Sequence, residues 1–145
     1  MKNPRFQFIM VKPKAVALNL TETFFKEFEK KGLKLVWRKR VRLNRKQIEF
    51  LYRPYKQVYW FKEFLQVMTS DDSIIALWVG GDDIIELTFE IRERIREEYK
   101  NLLEFYDLHA ADSEKIAISQ LKFLIGKKVY DITKKIRQQL FEKQI

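Results

Sequence analysis

The single histidine of the chain, His109, is its strongest candidate for covalent chemistry. Near neutral pH an unprotonated imidazole nitrogen is a nucleophile. A lone histidine is more often an ordinary loop or core residue, so both interpretations stay open at this point. The chain has no cysteine, which excludes a disulfide scaffold, a zinc knuckle and thiol catalysis. One histidine also excludes a multi-histidine metal site.

Basic residues dominate the charge of the 145-residue chain, since 29 Lys and Arg against 20 Asp and Glu leave a net charge of +9. Residues 34–46 contain seven bases and no acid. One interpretation is a solubilising outer face. The other is a weak contact with nucleic acid or another polyanion, because clusters of Lys and Arg release counterions from phosphates. The bases expected to make that contact are Lys34, Arg38, Arg40 and Arg42.

The elements that must position these side chains begin with a strand and a helix. Residues 5–11 are apolar and β-rich and stop at Lys12-Pro13, which predicts a buried strand. Asn19 followed by Glu22 predicts a capping box for a helix that Gly32 ends.

The middle of the chain predicts two more strands and two helices. Residues 33–43 alternate in polarity, which predicts a half-buried strand with a basic outer face. Its apolar face would carry Leu33, Leu35, Trp37, Val41 and Leu43. Asn44 predicts the cap of a short helix that runs to Tyr52, residues 59–69 predict an amphipathic helix, and residues 73–79 predict a second buried strand.

The last third of the chain predicts helices around a loop that carries His109. Residues 82–103 alternate acids and bases and predict a mostly helical segment. Further predictions are a helix capped by Asp112 or Ser113, a fourth strand at 121–125, and a final helix at about 131–144 that Asp131 caps.

These elements together predict an α+β fold, a ferredoxin-like split βαβ sandwich with a four-stranded antiparallel sheet and surrounding helices. Four glycines and three prolines form no linker, and no repeat is present, so we expect residues 1–145 to form a single domain. No apolar stretch approaches the ~20 residues of a membrane span. With no signal-peptide pattern at the N-terminus, we expect no membrane and a cytoplasmic location.

Short motifs in fixed order resemble the nucleoside diphosphate kinase family. FIMVKP at residues 8–13 resembles the strand and loop with which that family opens. Further matching positions are Tyr52, Tyr59-Trp60-Phe61, Met68-Thr69-Ser70, Trp78 with Gly80, Ile95-Arg96-Glu97-Glu98-Tyr99, and His109 with Asp112-Ser113. The resemblance covers residues 5 to about 125 and implies a single domain of this family with an additional C-terminal helix.

The resemblance implies a ping-pong transfer of the γ-phosphoryl group from a nucleoside triphosphate to a nucleoside diphosphate. His109 is then the nucleophile, and Lys12 neutralises charge on the transferred group. Tyr52 hydrogen-bonds near that group, and Gln120 accepts a hydrogen bond from the imidazole. Mg²⁺ enters with the nucleotide phosphates, without a metal site in the protein.

The resemblance also implies how the nucleotide is held. Trp60 offers a face on which the base stacks, Leu103 packs on the other side of the base, and Arg96 binds a phosphate. Arg92 or Arg94 replaces a second phosphate-binding arginine of the family, because the chain is about nine residues shorter between Trp78 and Arg96. Members of the family assemble as dimers or larger oligomers, so we expect a homodimer or a higher homo-oligomer.

Several positions differ from the family pattern. Lys14-Ala15 stands in place of Asp-Gly, and Ala111 replaces a serine near the histidine. Tyr106 replaces an asparagine, and Gln120 replaces the glutamate that normally accepts from the catalytic imidazole. These differences leave an alternative open: a weakened or inactive kinase-like protein that binds nucleotide, RNA or a protein partner.

Overall fold

A four-stranded antiparallel sheet in the order β2-β3-β1-β4 forms the centre of the molecule. The structure is a computed structural model that describes the backbone of residues 3–143 and the side chains of residues 3–140. The strands are β1 (Arg5–Val11), β2 (Lys34–Val41), β3 (Ser73–Gly80) and β4 (Leu108–Ala110). The predicted α+β fold of ferredoxin-like type is confirmed.

Seven α-helices and one 3₁₀ turn surround the sheet in the described part of the chain. They are α1 (Pro13–Ala17), α2 (Thr21–Lys30), α3 (Arg45–Leu51), the 3₁₀ turn Arg53–Tyr55, α4 (Phe61–Thr69), α5 (Ile84–Leu103), α6 (Glu114–Ile125) and α7 (Lys128–Lys143). Helices α1, α2 and α5 cover one face of the sheet. Helices α3, α4, α6 and α7 cover the other, so the two central strands are buried on both faces. No helix among the described residues is long and apolar enough to cross a bilayer.

Strand β2 departs from the predicted alternation because it contains a β-bulge at Val36. Leu35 pairs with Trp78, and Trp37 pairs with Leu77. Two residues of β2 therefore advance the pairing by only one residue of β3, and Val36 is the extra residue. The extra residue moves the following side chains to the opposite face of the sheet. Leu33 and Leu35 therefore pack under α2 and α5, whereas Trp37, Val41 and Leu43 pack on the other face. The prediction that all five share one face is wrong.

The fourth strand lies at residues 108–110 and not at 121–125. Residues 121–125 continue α6, in which Ala117, Gln120 and Leu121 are buried at helical spacing. The three residues of β4 pair with the end of β1, and Met10 lies opposite His109. A short apolar run does not distinguish a strand from a buried helix, and a three-residue strand carries no visible alternation.

Two of the predicted helix caps are confirmed and two are wrong. Asn44 forms a capping box with Gln47, and Ser113 accepts a hydrogen bond from the Ile116 amide. Asn19 has a φ of 59° and does not cap α2, whose N-cap is Leu20. Asp131 lies in the first turn of α7, which begins at Lys128. Part of the final predicted helix, Gln144, lies outside the described residues.

Candidate active site

A cavity of about 560 Å³ opens where β1 ends beside β4. It is bounded by the ends of these strands, the 3₁₀ turn, and helices α4, α5 and α6. Seven of the eight residues predicted to form the site line it: Lys12, Tyr52, Trp60, Arg92, Arg96, His109 and Gln120. Residues from six separate parts of the chain therefore converge on one concave surface.

His109 lies in β4 with its imidazole held by α6. Its Nε2 is 2.9 Å from Oε1 of Gln120, so Nε2 carries the proton and donates, and the lone pair of the neutral ring is on Nδ1. The rings of Phe8 and Tyr52 flank the imidazole, with centroids 5.6 and 5.2 Å away. Burial lowers the pKa of His109 to about 4, and the positive charge of Lys12 acts in the same direction. At neutral pH the imidazole is an uncharged nucleophile.

Lys12 follows β1 directly, and its ammonium group is almost fully buried. The side chain Nζ donates a hydrogen bond of 2.6 Å to the carbonyl oxygen of Phe105, and the backbone amide donates to the Asp107 carbonyl at 3.0 Å. The ammonium also lies 5.9 Å from the ring of Tyr52 and 5.7 Å from that of Phe64. Burial lowers the pKa of Lys12 to about 7, although the negative charge of Asp107 opposes the shift. This cation is poorly solvated and has only one close acceptor among the described residues.

Arg96 is fixed by a two-pronged ion pair with Asp107. Its Nε and Nη2 lie 3.0 and 2.9 Å from the two carboxylate oxygens, and Asp107 is completely buried. The hydrogen bond to Asp107 raises the pKa of Arg96, so the guanidinium stays charged at any working pH. An arginine held in this way is pre-oriented, which reduces the entropy lost when it binds a phosphate.

Arg92 lies one turn before Arg96 and faces the same cavity. Its guanidinium packs over the ring of Phe89, 4.6 Å from the centroid, and contacts Glu93 at 3.2 Å. Arg94 points away and contacts Glu27 at 3.9 Å. Of the two arginines proposed to replace the missing one, Arg92 is the residue that α5 brings to the cavity.

Tyr52 lines the cavity, and its hydroxyl group is buried without a hydrogen-bond partner in the described part of the chain. Burial raises the pKa of this phenol, so it remains protonated and is a hydrogen-bond donor. A buried hydroxyl without a partner costs about 1–3 kcal/mol. A ligand acceptor that reached this hydroxyl would supply the hydrogen bond that the described residues do not.

Leu103 is the predicted site residue that the structure does not bring to the cavity. It is fully buried in the core formed with α2 and α5, and Phe105 lines the cavity instead. The reason is a β-turn of type II′ at residues 103–106, in which Tyr106 N donates to Leu103 O at 2.8 Å and Glu104 has φ 56° and ψ −115°. No glycine marks this turn, so the sequence offered no signal for it.

Other residues that the sequence did not single out also line the cavity. Five of them are aromatic, and Asp112 contributes a carboxylate. The additional aromatic residues are Phe50, Tyr55, Tyr59, Phe64 and Phe105. Among the described residues, no group of three or more His, Cys, Asp or Glu side chains is placed to hold a metal ion.

The basic segment on β2 is partly neutralised by acidic residues. Arg38 contacts Glu22 at 2.7 Å, and Arg40 contacts Asp72 at 2.9 Å. Arg42 lies 3.8 Å from Asp71. These pairs favour the interpretation as a charged outer face on an edge strand, which also discourages unwanted strand pairing.

The fold and the site together define a protein that holds a neutral histidine beside three cations in an aromatic cavity. The model of the nucleoside diphosphate kinase family matches residues 6–130. The chain belongs to this family, which is a family of phosphotransferases.

Curated relatives agree with this assignment. The nucleoside diphosphate kinase of Erythrobacter litoralis is 32% identical over 125 residues, covering 80% of this chain and 89% of that protein. The one from Sulfurisphaera tokodaii is 30% identical over 120 residues, covering 76% and 81%. The match to the one from Saccharolobus solfataricus is 34% identical over 80 residues, which span 57% of that protein and 55% of this chain.

Solved structures share the fold. The apo nucleoside diphosphate kinase of Encephalitozoon cuniculi superposes with a TM-score of 0.74 at 26% identity, covering 86% of this chain and 91% of that one. The halophilic enzyme of Halobacterium salinarum, solved with CDP, superposes with a TM-score of 0.73 at 22% identity, covering 81% and 87%.

Proposed function

We propose that the chain is a nucleoside diphosphate kinase that works by ping-pong transfer through a phosphohistidine at Nδ1 of His109. The observation that carries the proposal is the state of this imidazole. It is neutral, its Nε2 is bound to Gln120, and the remaining nitrogen lies in a cavity lined by Lys12, Arg92 and Arg96. Family membership supports the nucleoside phosphate as substrate.

The transfer has two half-reactions. The Nδ1 lone pair of His109 attacks the γ-phosphorus of a nucleoside triphosphate, an N–P bond forms, and the bond to the bridging oxygen breaks to release the diphosphate. A terminal oxygen of a second nucleoside diphosphate then attacks the same phosphorus, and the N–P bond breaks to regenerate the imidazole. Catalysis of this kind consists mainly of positioning and charge stabilisation.

The cations and the unpaired hydroxyl fit the charge that develops on the phosphoryl oxygens. Arg96 is rigid because Asp107 holds it, and Arg92 lies on the same helix face. The Lys12 ammonium is desolvated, so a phosphate interacts with it more strongly than it would in water. Tyr52 donates its free hydroxyl hydrogen to a phosphate oxygen.

Mg²⁺ belongs to this reaction as part of the substrate complex. The cavity wall is rich in cations, and Asp112 is its only carboxylate among the described residues. Mg²⁺ prefers oxygen ligands and usually keeps several waters while it bridges phosphates. It therefore arrives bound to the nucleotide phosphates, and the protein supplies the cationic surroundings.

The alternative proposal is a weakened or inactive member of the family that binds nucleotide, RNA or a protein partner. Phosphorylation of Nδ1 leaves the ring cationic, and Gln120 accepts its proton without offering a negative charge. The neutral partner stabilises the phosphorylated ring less than a carboxylate does. We expect a slow phosphotransferase on this ground, and an absence of transfer would favour the alternative.

Domain organisation, oligomeric state, location and polyanion contact complete the proposal. We propose that residues 1–145 form one domain and that the protein is a homodimer or a higher homo-oligomer, as is usual in the family. A cytoplasmic location is consistent with the lack of cysteine. The weak polyanion contact through Lys34, Arg38, Arg40 and Arg42 is secondary, since three of these bases have acidic partners.

The decisive experiment is incubation with γ-labelled ATP and Mg²⁺, followed by acid and base treatment of the protein. We expect label that is acid-labile and base-stable, that is absent in His109→Ala, and that an added nucleoside diphosphate removes. A folded wild-type protein that takes up no label would contradict the kinase proposal. Labelling that persists in His109→Ala would contradict the assignment of the nucleophile.

A further inference from the structure

Phe105 lies beside Trp60 and restricts the space for a base that stacks on that ring. The centroids of the two rings are 6.1 Å apart, with an angle of 55° between the ring planes. A flat base between two rings needs about 3.5–4 Å on each side, or at least about 7 Å in total. A base therefore cannot enter between these rings in their present positions, and the two rings must separate before a base can lie between them.

The backbone of Phe105 is tied to the cation that serves the phosphate. The Lys12 ammonium donates its 2.6 Å hydrogen bond to the carbonyl oxygen of Phe105. A phosphate oxygen is an ionised acceptor and forms a stronger hydrogen bond with an ammonium group than a neutral carbonyl does. A phosphate that binds Lys12 competes with this carbonyl and weakens the contact that holds Phe105.

The turn that carries Phe105 has a strained backbone. Glu104 has a positive φ at a turn position that normally requires glycine, so the local conformation is unfavourable for a residue with a Cβ atom. The side chain of Phe105 is 40% exposed. Phe105 also lines a second cavity of about 370 Å³, together with Lys14, Glu63 and Tyr106, and this cavity offers space for the ring.

We propose that Phe105 is a specificity-determining gate residue, which blocks base stacking on Trp60 until a phosphate group engages Lys12. This inference rests on the proposed function, which identifies the ligand as a nucleoside phosphate. The new part is the selectivity against nucleosides that lack a phosphate. The cavity accepts nucleoside phosphates and rejects free nucleosides. Because coupling between two ligands is reciprocal, a base also strengthens phosphate binding.

The test measures adenosine binding with and without saturating pyrophosphate by calorimetry. Pyrophosphate should strengthen adenosine binding to the wild type by at least about fivefold, the lower end of usual coupling. Phe105→Ala should bind adenosine at least about fivefold more tightly than the wild type without pyrophosphate, and pyrophosphate should then add less than about twofold. Leu102→Ala removes a neighbouring exposed apolar side chain and should behave as the wild type.

Two calorimetric results would overturn the gate. One is adenosine binding that is no tighter in Phe105→Ala than in the wild type, and the other is equal coupling in the two proteins. A second readout needs no change at Phe105. Pyrophosphate alone should change the fluorescence of Trp60, measured as the difference between the wild type and Trp60→Phe, and the absence of that difference contradicts the gate.

The gate and the kinase activity can each be disproved without disproving the other. Binding of adenosine and pyrophosphate requires no transfer to His109, so the coupling can be present in a protein that is never labelled. Conversely, a protein that is labelled at His109 but shows no coupling retains the proposed function and loses the gate.

Discussion

The side-chain amide of Gln7 donates a hydrogen bond of 2.9 Å to the carbonyl oxygen of Ala111, and thereby joins β1 to the turn that follows His109. Gln7 is completely buried, and the same amide nitrogen donates to Thr88 on α5 at 3.0 Å. Its Oε1 accepts from the amide of Phe8 at 2.9 Å. A polar side chain inside the core therefore links β1, α5 and the segment that follows His109.

Replacement of Gln7 by Leu should destabilise the protein by about 2–4 kcal/mol, because buried polar groups lose their partners at about 1–3 kcal/mol each. Phosphorylation of His109 should slow as well, since Ala111 loses its anchor. Denaturant unfolding and single-turnover labelling measure the two effects. Thr88→Val is the matched control, because it removes one bond of Gln7 and keeps the bond to Ala111. Equal slowing of labelling in both variants would show that the Ala111 contact has no special role.

The neutral partner of the imidazole can be replaced by a charged one. Gln120→Glu should accelerate phosphorylation of His109 by about tenfold, because a carboxylate stabilises the cationic phosphorylated ring. The same change should raise the pKa of His109 above its lowered value of about 4. Rapid-quench labelling measures the rate, and NMR titration measures the pKa. A raised pKa with an unchanged rate would show that the charge of the ring does not limit the reaction.

The pH dependence of kcat/KM should be bell-shaped. Below about pH 4 His109 is protonated and loses its nucleophilic lone pair, so activity rises as the pH increases through this value. Above about pH 7 Lys12 in the free protein loses its positive charge, so activity falls. Lys12→Arg should abolish the alkaline limb, because a guanidinium does not deprotonate in this range. An alkaline limb that survives in Lys12→Arg would assign it to another group.

The positive φ of Glu104 predicts that glycine at this position makes the folded protein more stable. Glu104→Gly should stabilise the protein by about 1 kcal/mol, because glycine adopts the positive φ without the steric cost that a Cβ atom brings. The same substitution at Glu98, in the exposed face of α5, should destabilise it by about 1 kcal/mol. Thermal unfolding of the two variants gives the comparison. A loss of stability in Glu104→Gly would mean that the carboxylate makes a contribution larger than the strain.

Arg92 and Arg94 form a matched pair for the phosphate site. Arg92→Ala should raise the KM for ATP by about tenfold, since one charge-assisted contact to phosphate is lost. Arg94→Ala removes a guanidinium from the same helix that points away from the cavity toward Glu27, and it should leave the KM unchanged. Steady-state kinetics at constant ionic strength distinguishes the two. An equal effect in both variants would indicate general electrostatics.

The predicted residues that line the cavity were identified in the sequence mainly because they match, in order and spacing, the motifs of the nucleoside diphosphate kinase family, whereas periodicity predicted only the elements that carry them. FIMV at the end of β1 predicts where Lys12 leaves the sheet, and the four-residue spacing of Arg92 and Arg96 places them on one helix face. The bulge at Val36 was not predictable, because an inserted residue preserves the apolar composition while it reverses the faces. The turn at Glu104 was not predictable either, because tertiary contacts of Leu103, Phe105 and Lys12 impose a backbone conformation that the local sequence disfavours.

The spacing of two residues in helix α6 determines how the imidazole of His109 is held. Ser113 fixes the first residue of the helix, and Gln120, seven positions later, contacts the imidazole. Each residue advances an α-helix by 1.5 Å and about 100°. One residue inserted between these two positions would rotate the amide away from His109 and free Nε2, although every side chain of the site would remain in the sequence. The distance along the chain between cap and amide thus fixes which ring nitrogen keeps its proton, and a change in spacing alone would release both nitrogens from that assignment.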